Sequence, residues 1–381
     1  MQGVFSKTMI QPKYFVESLA KAGIDFFAGV PDSLLKNICA YLTDNSPKEK
    51  NIIAANEGAA IGLAAGHYLA SGQVGVVYMQ NSGLGNTVNP LMSLTDEDVY
   101  NIPVLLLVGW RGEPGKHDEP QHVKQGKVTI PLLDAMGIRN TVMATEEADL
   151  AQQLKGAITY MQETKRAFAF VIQKGTFDEY KLQSVVASGL SMSREEAIQT
   201  VAGSLEPNAV IVSTTGMISR ELFEYRANNG MGHDCDFLTV GSMGHASQIA
   251  LGIALEQPDR PVYCFDGDGA TIMHMGSLGI VGDMGVKNYT HVVFNNGAHD
   301  SVGGQPTVGL RINIPTVALA CGYKSVKSVE NLEDLKAALQ EKGGSPRLIE
   351  VKVKKGARKD LGRPTTTPIE NKEALMKFLN S

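Results

Sequence analysis

The fold follows from the stretch Pro261-Val262-Tyr263-Cys264-Phe265-Asp266-Gly267-Asp268-Gly269-Ala270, in which an apolar strand runs directly into a turn of aspartate and glycine. A second apolar stretch, His291–Phe294, runs in the same way into Asn295-Asn296-Gly297. Both polar clusters therefore follow the carboxyl end of a predicted strand. In an open parallel sheet such ends form a crevice lined by backbone N–H groups, which suits a phosphate group.

The side chains of these two clusters also suit a metal ion. Asp268 offers an anionic oxygen and Asn296 a neutral amide oxygen. The flanking glycines let backbone carbonyls and phosphate oxygens approach the same ion. Hard oxygen ligands of this kind favour magnesium. A GDG triplet alone is also typical of an ordinary turn. The prediction of a metal site therefore depends on the paired asparagines after the next strand.

Further apolar strands alternate with helix-like stretches through the rest of the chain. They predict an α/β protein of two domains, each a mostly parallel sheet flanked by helices. A polar stretch interrupts the alternation, and Ser193-Arg194-Glu195-Glu196 then has the pattern of a capping box. We expect one domain at residues 1–182, a linker at 183–192 and a second domain at 193–381. The predicted strands include Asn51–Ala54, Gly75–Met79, Pro103–Trp110, Phe168–Gln173, Ala209–Ser213, Pro261–Phe265, His291–Phe294 and Leu348–Val353.

Composition indicates an ordinary globular protein. The 381 residues include 35 lysines and arginines against 40 aspartates and glutamates, a net charge of −5 that does not favour nucleic-acid binding. The four cysteines form no CxxC pair, which argues against a structural zinc site or a disulfide framework. No apolar run approaches a membrane span, and the N-terminus lacks a signal-peptide pattern. We therefore expect a cytoplasmic protein that binds no membrane.

The combination of GDG, an intervening helix and NN resembles the thiamine-diphosphate enzyme superfamily. The resemblance implies thiamine diphosphate and Mg²⁺ as cofactors. It makes Asp268 and Asn296 side-chain ligands of the metal, with the backbone carbonyl of Ala298 as a third ligand and Asn295 as support. Gly267, Gly269 and Ala270 would then contact the diphosphate.

Two further loops resemble cofactor-binding segments of this superfamily. In Gly241-Ser242-Met243-Gly244-His245-Ala246, the resemblance makes Met243 the wedge that bends the cofactor into a V shape. The carbonyl of Gly241 would accept a hydrogen bond from the aminopyrimidine. In Ser213-Thr214-Thr215-Gly216, it implies that Thr214, Thr215 and Gly216 help to hold the diphosphate.

Thiamine chemistry also requires a carboxylate at the pyrimidine nitrogen N1′, because that contact favours the form that removes the C2 proton. Glu57 lies in Ala54-Ala55-Asn56-Glu57-Gly58-Ala59-Ala60, at the start of a helix of small residues. A glutamate there also suits the helix dipole alone. The segment resembles the glutamate helix of the pyrimidine-binding domain, and Gln80-Asn81-Ser82-Gly83-Leu84-Gly85-Asn86 resembles the glycine-rich turn that follows the next strand.

The resemblance therefore places a pyrimidine-binding domain first and a diphosphate-binding domain second. In this superfamily one cofactor spans the pyrimidine-binding domain of one subunit and the diphosphate-binding domain of another. We accordingly expect a homodimer or a larger homo-oligomer with an active site shared between subunits.

The chain has no room for the third domain that most such decarboxylases carry, and it resembles the compact family of phosphonopyruvate and sulfopyruvate decarboxylases. The implied reaction is the non-oxidative decarboxylation of 3-phosphonopyruvate to phosphonoacetaldehyde and CO₂. The stretches that carry this resemblance are Gly29–Ser33, Gly109–Pro114, His117–His122, Asn295–Gln305 and Lys355–Pro364.

A substrate with two anionic groups requires several cationic donors. We expect these from Arg111, Lys116, His117 and His122, which lie in one loop after the strand Pro103–Trp110. Asp32 or His117 is the expected source of the proton that carbon receives after CO₂ leaves. Candidates that could close over the substrate are His299, Asp300, Ser301, Arg358 and Lys359.

Two alternatives remain open at this point. The first is the same chemistry on sulfopyruvate, since a sulfonate and a phosphonate are both tetrahedral anions. The second is a non-catalytic protein that binds thiamine diphosphate or a nucleotide and uses GDG only to hold phosphate. Glu57 argues against the second, because simple binding needs no carboxylate at N1′.

Overall fold

The computed structural model describes residues 9–184, 188–341 and 343–381. It divides the chain into two compact units, Met1–Val185 and Val186–Ser381. Residues 185–187 of the predicted linker and the first eight residues of the chain lie outside the described part.

Within the described residues, the first unit is a six-stranded sheet with helices between its strands. All pairings are parallel, and the strand order is β2-β1-β3-β4-β6-β5. Its strands are β1 (Phe26–Gly29), β2 (Asn51–Ile53), β3 (Gly75–Gln80), β4 (Val104–Gly109), β5 (Arg139–Val142) and β6 (Phe168–Ile172). Its helices are α1 (Pro12–Ala20), α2 (Lys36–Asn45), α3 (Glu57–Ser71), α4 (Leu84–Leu94), α5 (Pro120–Ala135) and α6 (Glu147–Thr164).

The central strands of this sheet are apolar on both faces because helices cover both. In β4, Leu105 and Leu107 belong to one hydrophobic cluster, whereas Leu106 and Val108 belong to the other. All four side chains are fully buried. A continuous apolar run is the expected sequence signal of such a strand.

The second unit repeats this architecture. In its described residues a six-stranded parallel sheet has the order β13-β14-β10-β9-β7-β8. Its strands are β7 (Val210–Ser213), β8 (Asp236–Leu238), β9 (Val262–Gly267), β10 (Tyr289–Asn295), β13 (Ser325–Val329) and β14 (Arg347–Lys352), with a small antiparallel pair, β11 (Ala298–His299) and β12 (Gln305–Pro306). Its helices are α7 (Arg194–Ala202), α8 (Met217–Asn228), α9 (Ala246–Glu256), α10 (Asp268–Met273), α11 (Ser277–Met284), α12 (Ile314–Ala320), α13 (Leu332–Gln340) and α14 (Pro368–Leu379).

The order of this second sheet brings four loops to one edge. Strands β10, β9, β7 and β8 are consecutive neighbours and parallel. The segments that follow them therefore emerge side by side from the same edge of the sheet. These segments contain NN, GDG, Thr214–Gly216 and Gly241–His245, respectively.

The predicted fold class is confirmed, and so is the capping box at Ser193: its hydroxyl oxygen accepts the backbone N–H of Glu196, and the Glu196 carboxylate accepts the backbone N–H of Ser193. None of the described helices is long and apolar enough to cross a membrane. All four cysteines are free thiols.

Candidate active site

Asp268 is the buried carboxylate at the centre of the second unit's loop edge. It begins α10 directly after β9 and is 2% exposed. Burial raises the pKa of Asp268 to about 6, although hydrogen bonds from the Thr307 hydroxyl and from the backbone N–H of Asn296 and Gly269 lower it. In the described part of the chain, no lysine or arginine forms an ion pair with this carboxylate. A buried carboxylate without a cationic side chain is a suitable ligand for a bound cation.

Asn296 lies beside Asp268 and is 3% exposed. Its Oδ1 accepts the backbone N–H of Ala298 at 3.0 Å, and its Nδ2 donates to Oδ2 of Asp300 at 2.6 Å. An amide oxygen has a second lone pair, so one acceptor position of Oδ1 is left for a cation. The geometry therefore brings two of the predicted metal-binding side chains together.

Asn295 is directed into the protein instead. Its Nδ2 donates to Oε1 of Glu350 at 2.7 Å and to the carbonyl of Gly309 at 2.9 Å. Its Oδ1 accepts the N–H of Gly297 at 3.1 Å. These bonds fix the turn that presents Asn296.

Residues 306–309, which sequence reasoning missed, close over the loop that contains Asp268 and the loop that contains Asn296. The Thr307 hydroxyl donates to Asp268, and the Thr307 N–H donates to the carbonyl of Gly297 at 2.9 Å. A Cβ on Gly309 would lie 2.7 Å from Oδ1 of Asn295, so only glycine fits there. The sequence signal was a cluster of glycine and threonine in Gly303–Gly309, shortly after the asparagine pair.

The loop after β8 reaches the same place. Gly241, Ser242 and Gly244 have φ angles of 71°, 47° and 84°, which hold the loop in a left-handed turn. The N–H of Gly241 donates to Oγ1 of Thr215 at 3.1 Å, joining this loop to the one after β7. Gly241 and Thr215 are therefore neighbours in the structure.

Gly269 is flanked by Met243 and His299. A Cβ on Gly269 would lie 3.4 Å from the Met243 methyl group and 3.1 Å from the His299 ring. Burial lowers the pKa of His299 to about 4, so its imidazole is neutral near pH 7. The space beside Gly269 is thus bounded by an apolar thioether and a neutral ring.

The loop after β7 completes this edge. Thr214 is buried, and its N–H donates to the carbonyl of Phe265 at 2.8 Å. Gly216, with φ 98°, directly precedes α8 and lies close to Ser301. The positive end of a helix dipole therefore faces the same edge, as suits a diphosphate.

The residues of this edge fit Mg²⁺ and a diphosphate ester. Asp268 and Asn296 supply hard oxygens, and three loops supply backbone N–H groups and glycines. Gln305 adds a second indication, because it is fully buried and neither atom of its carboxamide has a hydrogen-bond partner among the described residues. Buried polar groups normally have partners, so a bound group would satisfy it.

Glu57 belongs to the first unit, at the start of α3. It is 5% exposed, and Oε2 of its carboxylate accepts a 2.7 Å hydrogen bond from Nδ2 of Asn86. The Asn56 side chain caps the helix by accepting the N–H of Ala59 at 2.9 Å. A Cβ on Gly83 would lie 2.5 Å from Oε1 of Glu57, so glycine is required beside the carboxylate.

The predicted cationic loop contains three carboxylates, Glu113, Asp118 and Glu119, beside the cations Arg111 and Lys116. Nε of Arg111 donates to Asp118 at 2.8 Å, and its Nη1 donates to the Ser33 hydroxyl at 2.9 Å. The guanidinium holds the pKa of Asp118 well below its usual range. Lys116 forms an ion pair with Glu113 at 2.5 Å. Two of the four side chains expected to bind substrate, Arg111 and Lys116, are therefore already paired with carboxylates within the loop.

The remaining candidates of the first unit differ in their accessibility. Asp32 is fully buried, and burial raises its pKa although Gln80 and the Leu34 N–H donate to it at 2.6 and 2.9 Å. His122 is 8% exposed, whereas His117 is exposed. Of the two proposed proton donors, the structure thus places one in the interior and the other at the surface.

Two family models match the chain. Residues 12–136 match "Thiamine pyrophosphate enzyme, N-terminal TPP binding domain", and residues 214–351 match "Thiamine pyrophosphate enzyme, C-terminal TPP binding domain". The first range contains Glu57, and the second contains both Asp268 and Asn296.

Characterised relatives extend over nearly the whole chain. Phosphonopyruvate decarboxylase of Streptomyces viridochromogenes is 34% identical over 95% of this chain and 93% of that protein. Phosphonopyruvate decarboxylase of Streptomyces hygroscopicus is 33% identical over 95% of this chain and 92% of that protein. Sulfopyruvate decarboxylase of Methanosarcina acetivorans is 28% identical over 86% of each chain.

Proposed function

The chain belongs to the thiamine-diphosphate-dependent decarboxylases of the phosphonopyruvate decarboxylase family, and from that premise we propose its substrate and the roles of its residues. The reaction is the non-oxidative decarboxylation of 3-phosphonopyruvate. The bond between the carboxylate and the carbonyl carbon breaks, CO₂ leaves, and the carbonyl carbon gains a proton to give phosphonoacetaldehyde. The likeness of 34% over 95% of the chain to a phosphonopyruvate decarboxylase supports this substrate.

The buried Glu57 carboxylate is the observation that most supports a catalytic function. It lies at the start of a helix, held by one amide donor, with Gly83 keeping the space beside it free of a side chain. A protein that only stored the cofactor would gain nothing from burying a carboxylate there, since burial disfavours charge. Glu57 therefore supports an enzyme rather than a binding protein.

The proposal gives each candidate site residue of the two units a specific role. Bound thiamine diphosphate supplies a nucleophilic carbon and an electron sink for the reaction. Glu57 would hold a proton against the pyrimidine nitrogen N1′, and the carbonyl of Gly241 would accept a hydrogen bond from the amino group of that ring. Met243 would pack against the rings of the cofactor, and Asp268, Asn296 and the Ala298 carbonyl would bind Mg²⁺.

Substrate recognition is assigned to the loop of Arg111, Lys116 and His122. The guanidinium of Arg111 keeps a fixed orientation through Asp118 and Ser33, which suits recognition of a tetrahedral anion by a preorganised donor. Because Asp118 and Glu113 offset the cations, we expect the dianionic substrate to bind with only moderate affinity. The proton that carbon receives comes from Asp32 or His117.

A homodimer in the cytoplasm completes the proposal. Exposed apolar side chains on α3 support association, because Leu69 is 74% exposed and Leu63 is 36% exposed. Sedimentation velocity at micromolar concentration should show a particle of twice the chain mass or larger. A monomer that turns over substrate would contradict this part of the proposal.

The substrate is tested by competition. Equimolar phosphonopyruvate and sulfopyruvate are mixed with the protein, Mg²⁺ and thiamine diphosphate, and the loss of each is followed over time. The ratio of the two rates gives the ratio of kcat/KM directly. We expect phosphonopyruvate to be consumed first, and preferential loss of sulfopyruvate would assign the chain to the other specificity.

A further inference from the structure

The Asp300 carboxylate contacts three separate parts of the second unit. Its Oδ2 accepts Nδ2 of Asn296 at 2.6 Å and the N–H of Gly356 at 2.9 Å, and it lies 3.3 Å from Nη1 of Arg194. Sequence reasoning placed Asp300 over the substrate. In the structure the contacts of its carboxylate are made with protein groups, one of which is a predicted metal ligand.

Arg194 anchors this carboxylate from the interior. Its Nε and Nη2 bind Glu221 in a bidentate pair at 2.8 and 2.9 Å. The side chains of Arg194 and Glu221 are only 5% and 2% exposed, and that of Asp300 is 13% exposed. A buried guanidinium with this geometry cannot move without leaving a charge unpaired, which is costly. The position of Asp300 is thereby fixed.

The consequence for Asn296 comes from the chemistry of an amide. A carboxylate can only accept hydrogen bonds, so the Asn296 amide must turn its Nδ2 towards Asp300 and its Oδ1 away. Oδ1 then accepts the Ala298 N–H and keeps one acceptor position for Mg²⁺. Without Asp300, only the Ala298 N–H would favour this orientation over the opposite one, which would present N–H groups to the cation.

We propose that Asp300 is a positioning residue that sets the orientation of Asn296 and through it the affinity for Mg²⁺. This inference rests on the proposed function only in taking Asn296 as a metal ligand. It replaces the substrate contact that the sequence suggested for Asp300.

The C-terminal segment 354–363 takes part in the same network. Besides the bond from Gly356 to Asp300, Arg358 forms ion pairs with Glu224 and, at 3.0 Å, with Glu195. The same oxygen, Oδ2 of Asp300, therefore holds segment 354–363 through Gly356 and orients the amide of Asn296. If the two are coupled, binding of Mg²⁺ with thiamine diphosphate must in turn stabilise the contact between segment 354–363 and Asp300.

The test measures metal affinity rather than turnover. Thiamine diphosphate is titrated into the protein by calorimetry at a series of Mg²⁺ concentrations, for wild type, Asp300→Ala and Asp300→Asn. Loss of a group that orients a metal ligand typically costs about 10- to 100-fold in affinity, and we expect that loss for Asp300→Ala. Asp300→Asn keeps an acceptor oxygen and should recover affinity to within about tenfold of wild type.

Asp259→Ala is the matched control, because Asp259 is exposed in the same unit and its removal changes the net charge equally. It should leave the Mg²⁺ affinity unchanged. An Asp300→Ala variant with lowered unfolding free energy but wild-type Mg²⁺ affinity would overturn the inference in favour of a purely structural role. A raised KM for substrate with unchanged Mg²⁺ affinity would overturn it in favour of substrate binding.

Hydrogen exchange gives the reciprocal measurement. Adding Mg²⁺ and thiamine diphosphate should slow amide exchange in 354–363 in wild type and much less in Asp300→Ala. Equal protection in both proteins would contradict the coupling. Both measurements omit the oxo acid, so a failure of the phosphonopyruvate assignment leaves their outcome unaffected.

Discussion

Nδ2 of Asn86 donates a 2.7 Å hydrogen bond to Oε2 of Glu57, a carboxylate that is 5% exposed. The bond joins the start of α3 to the first turn of α4 and holds the carboxylate in one orientation. A carboxylate fixed in this way can exchange a proton with a ring nitrogen without first reorganising.

Replacing Glu57 by Gln removes the proton acceptor but keeps the shape. We expect kcat to fall at least about 100-fold, since general acid–base catalysis contributes roughly 10²- to 10⁴-fold. Affinity for thiamine diphosphate should change by less than about fivefold, because the residues proposed to bind the diphosphate and the metal lie in the second unit. Glu147→Gln, an exposed glutamate at the start of α6, is the control and should keep wild-type turnover. Wild-type kcat in Glu57→Gln would contradict the role.

Replacing Gly83 by Ala tests the same carboxylate from its neighbour. The new Cβ would lie 2.5 Å from Oε1 of Glu57, so the carboxylate must shift. We expect a loss of about 10-fold or more in kcat, because small misplacements of a catalytic group are costly. Gly156→Ala, in the exposed face of α6 with no neighbour within 4 Å of the new atom, should keep full activity. Equal activity of the two variants would show that the space beside Glu57 is unimportant.

Removing the Thr307 hydroxyl tests the segment that covers the metal-binding loops. Thr307→Val keeps the shape of the side chain and deletes the donor to Asp268. The Mg²⁺ concentration needed to saturate the protein with thiamine diphosphate should rise about 10- to 100-fold, as for other groups that hold a metal ligand. Thr316→Val, at an exposed position of α12, is the control. An unchanged Mg²⁺ requirement in Thr307→Val would show that the Thr307 hydroxyl has no role in metal binding.

The Arg111–Asp118 pair predicts a pH-dependent stability. The guanidinium lowers the pKa of Asp118 below its unfolded value of 3.8, so its contribution is present above about pH 4 and is lost as the pH falls further. Asp118→Asn should therefore reduce the unfolding free energy at pH 7 by about 1–2 kcal/mol, and the difference from wild type should become smaller at pH 3. Chemical denaturation at pH 7 and at pH 3 measures both values.

Asp25→Asn provides the comparison for that experiment, because Asp25 is 48% exposed in its pair with Lys50. Exposed pairs contribute about 0–1 kcal/mol, so this variant should differ little from wild type at either pH. A difference for Asp118→Asn that is the same at both pH values would show that the carboxylate's charge is not the cause.

Sequence reasoning succeeded where a residue's position follows from local pattern. Asp268 and Asn296 were predicted to be neighbours because each follows a buried strand, and parallel strands end at one edge of a sheet. The central strands were equally visible, since burial on both faces produces a continuous apolar run. The edge strands β5, β8 and β13 were missed. Polar residues such as Arg139 and Lys327 interrupt β5 and β13, and β8 has only three residues.

Contacts between distant parts of the chain could not be predicted in this way. Arg194 and Asp300 are 106 positions apart, and Asn295 and Glu350 are 55 apart. A polar residue in a loop gives no local sign of whether it faces a substrate or a buried partner. That is why Asp300 was placed over the substrate and the cations near Arg111 were treated as available, although Asp118 and Glu113 already pair with two of them.

The most direct test is to mix the protein with phosphonopyruvate, Mg²⁺ and thiamine diphosphate and to follow phosphorus NMR together with CO₂ release. The account predicts equimolar phosphonoacetaldehyde and CO₂, dependent on both cofactors and nearly absent with Glu57→Gln. No CO₂ above that of the variant, with cofactor bound and the protein folded, would contradict it.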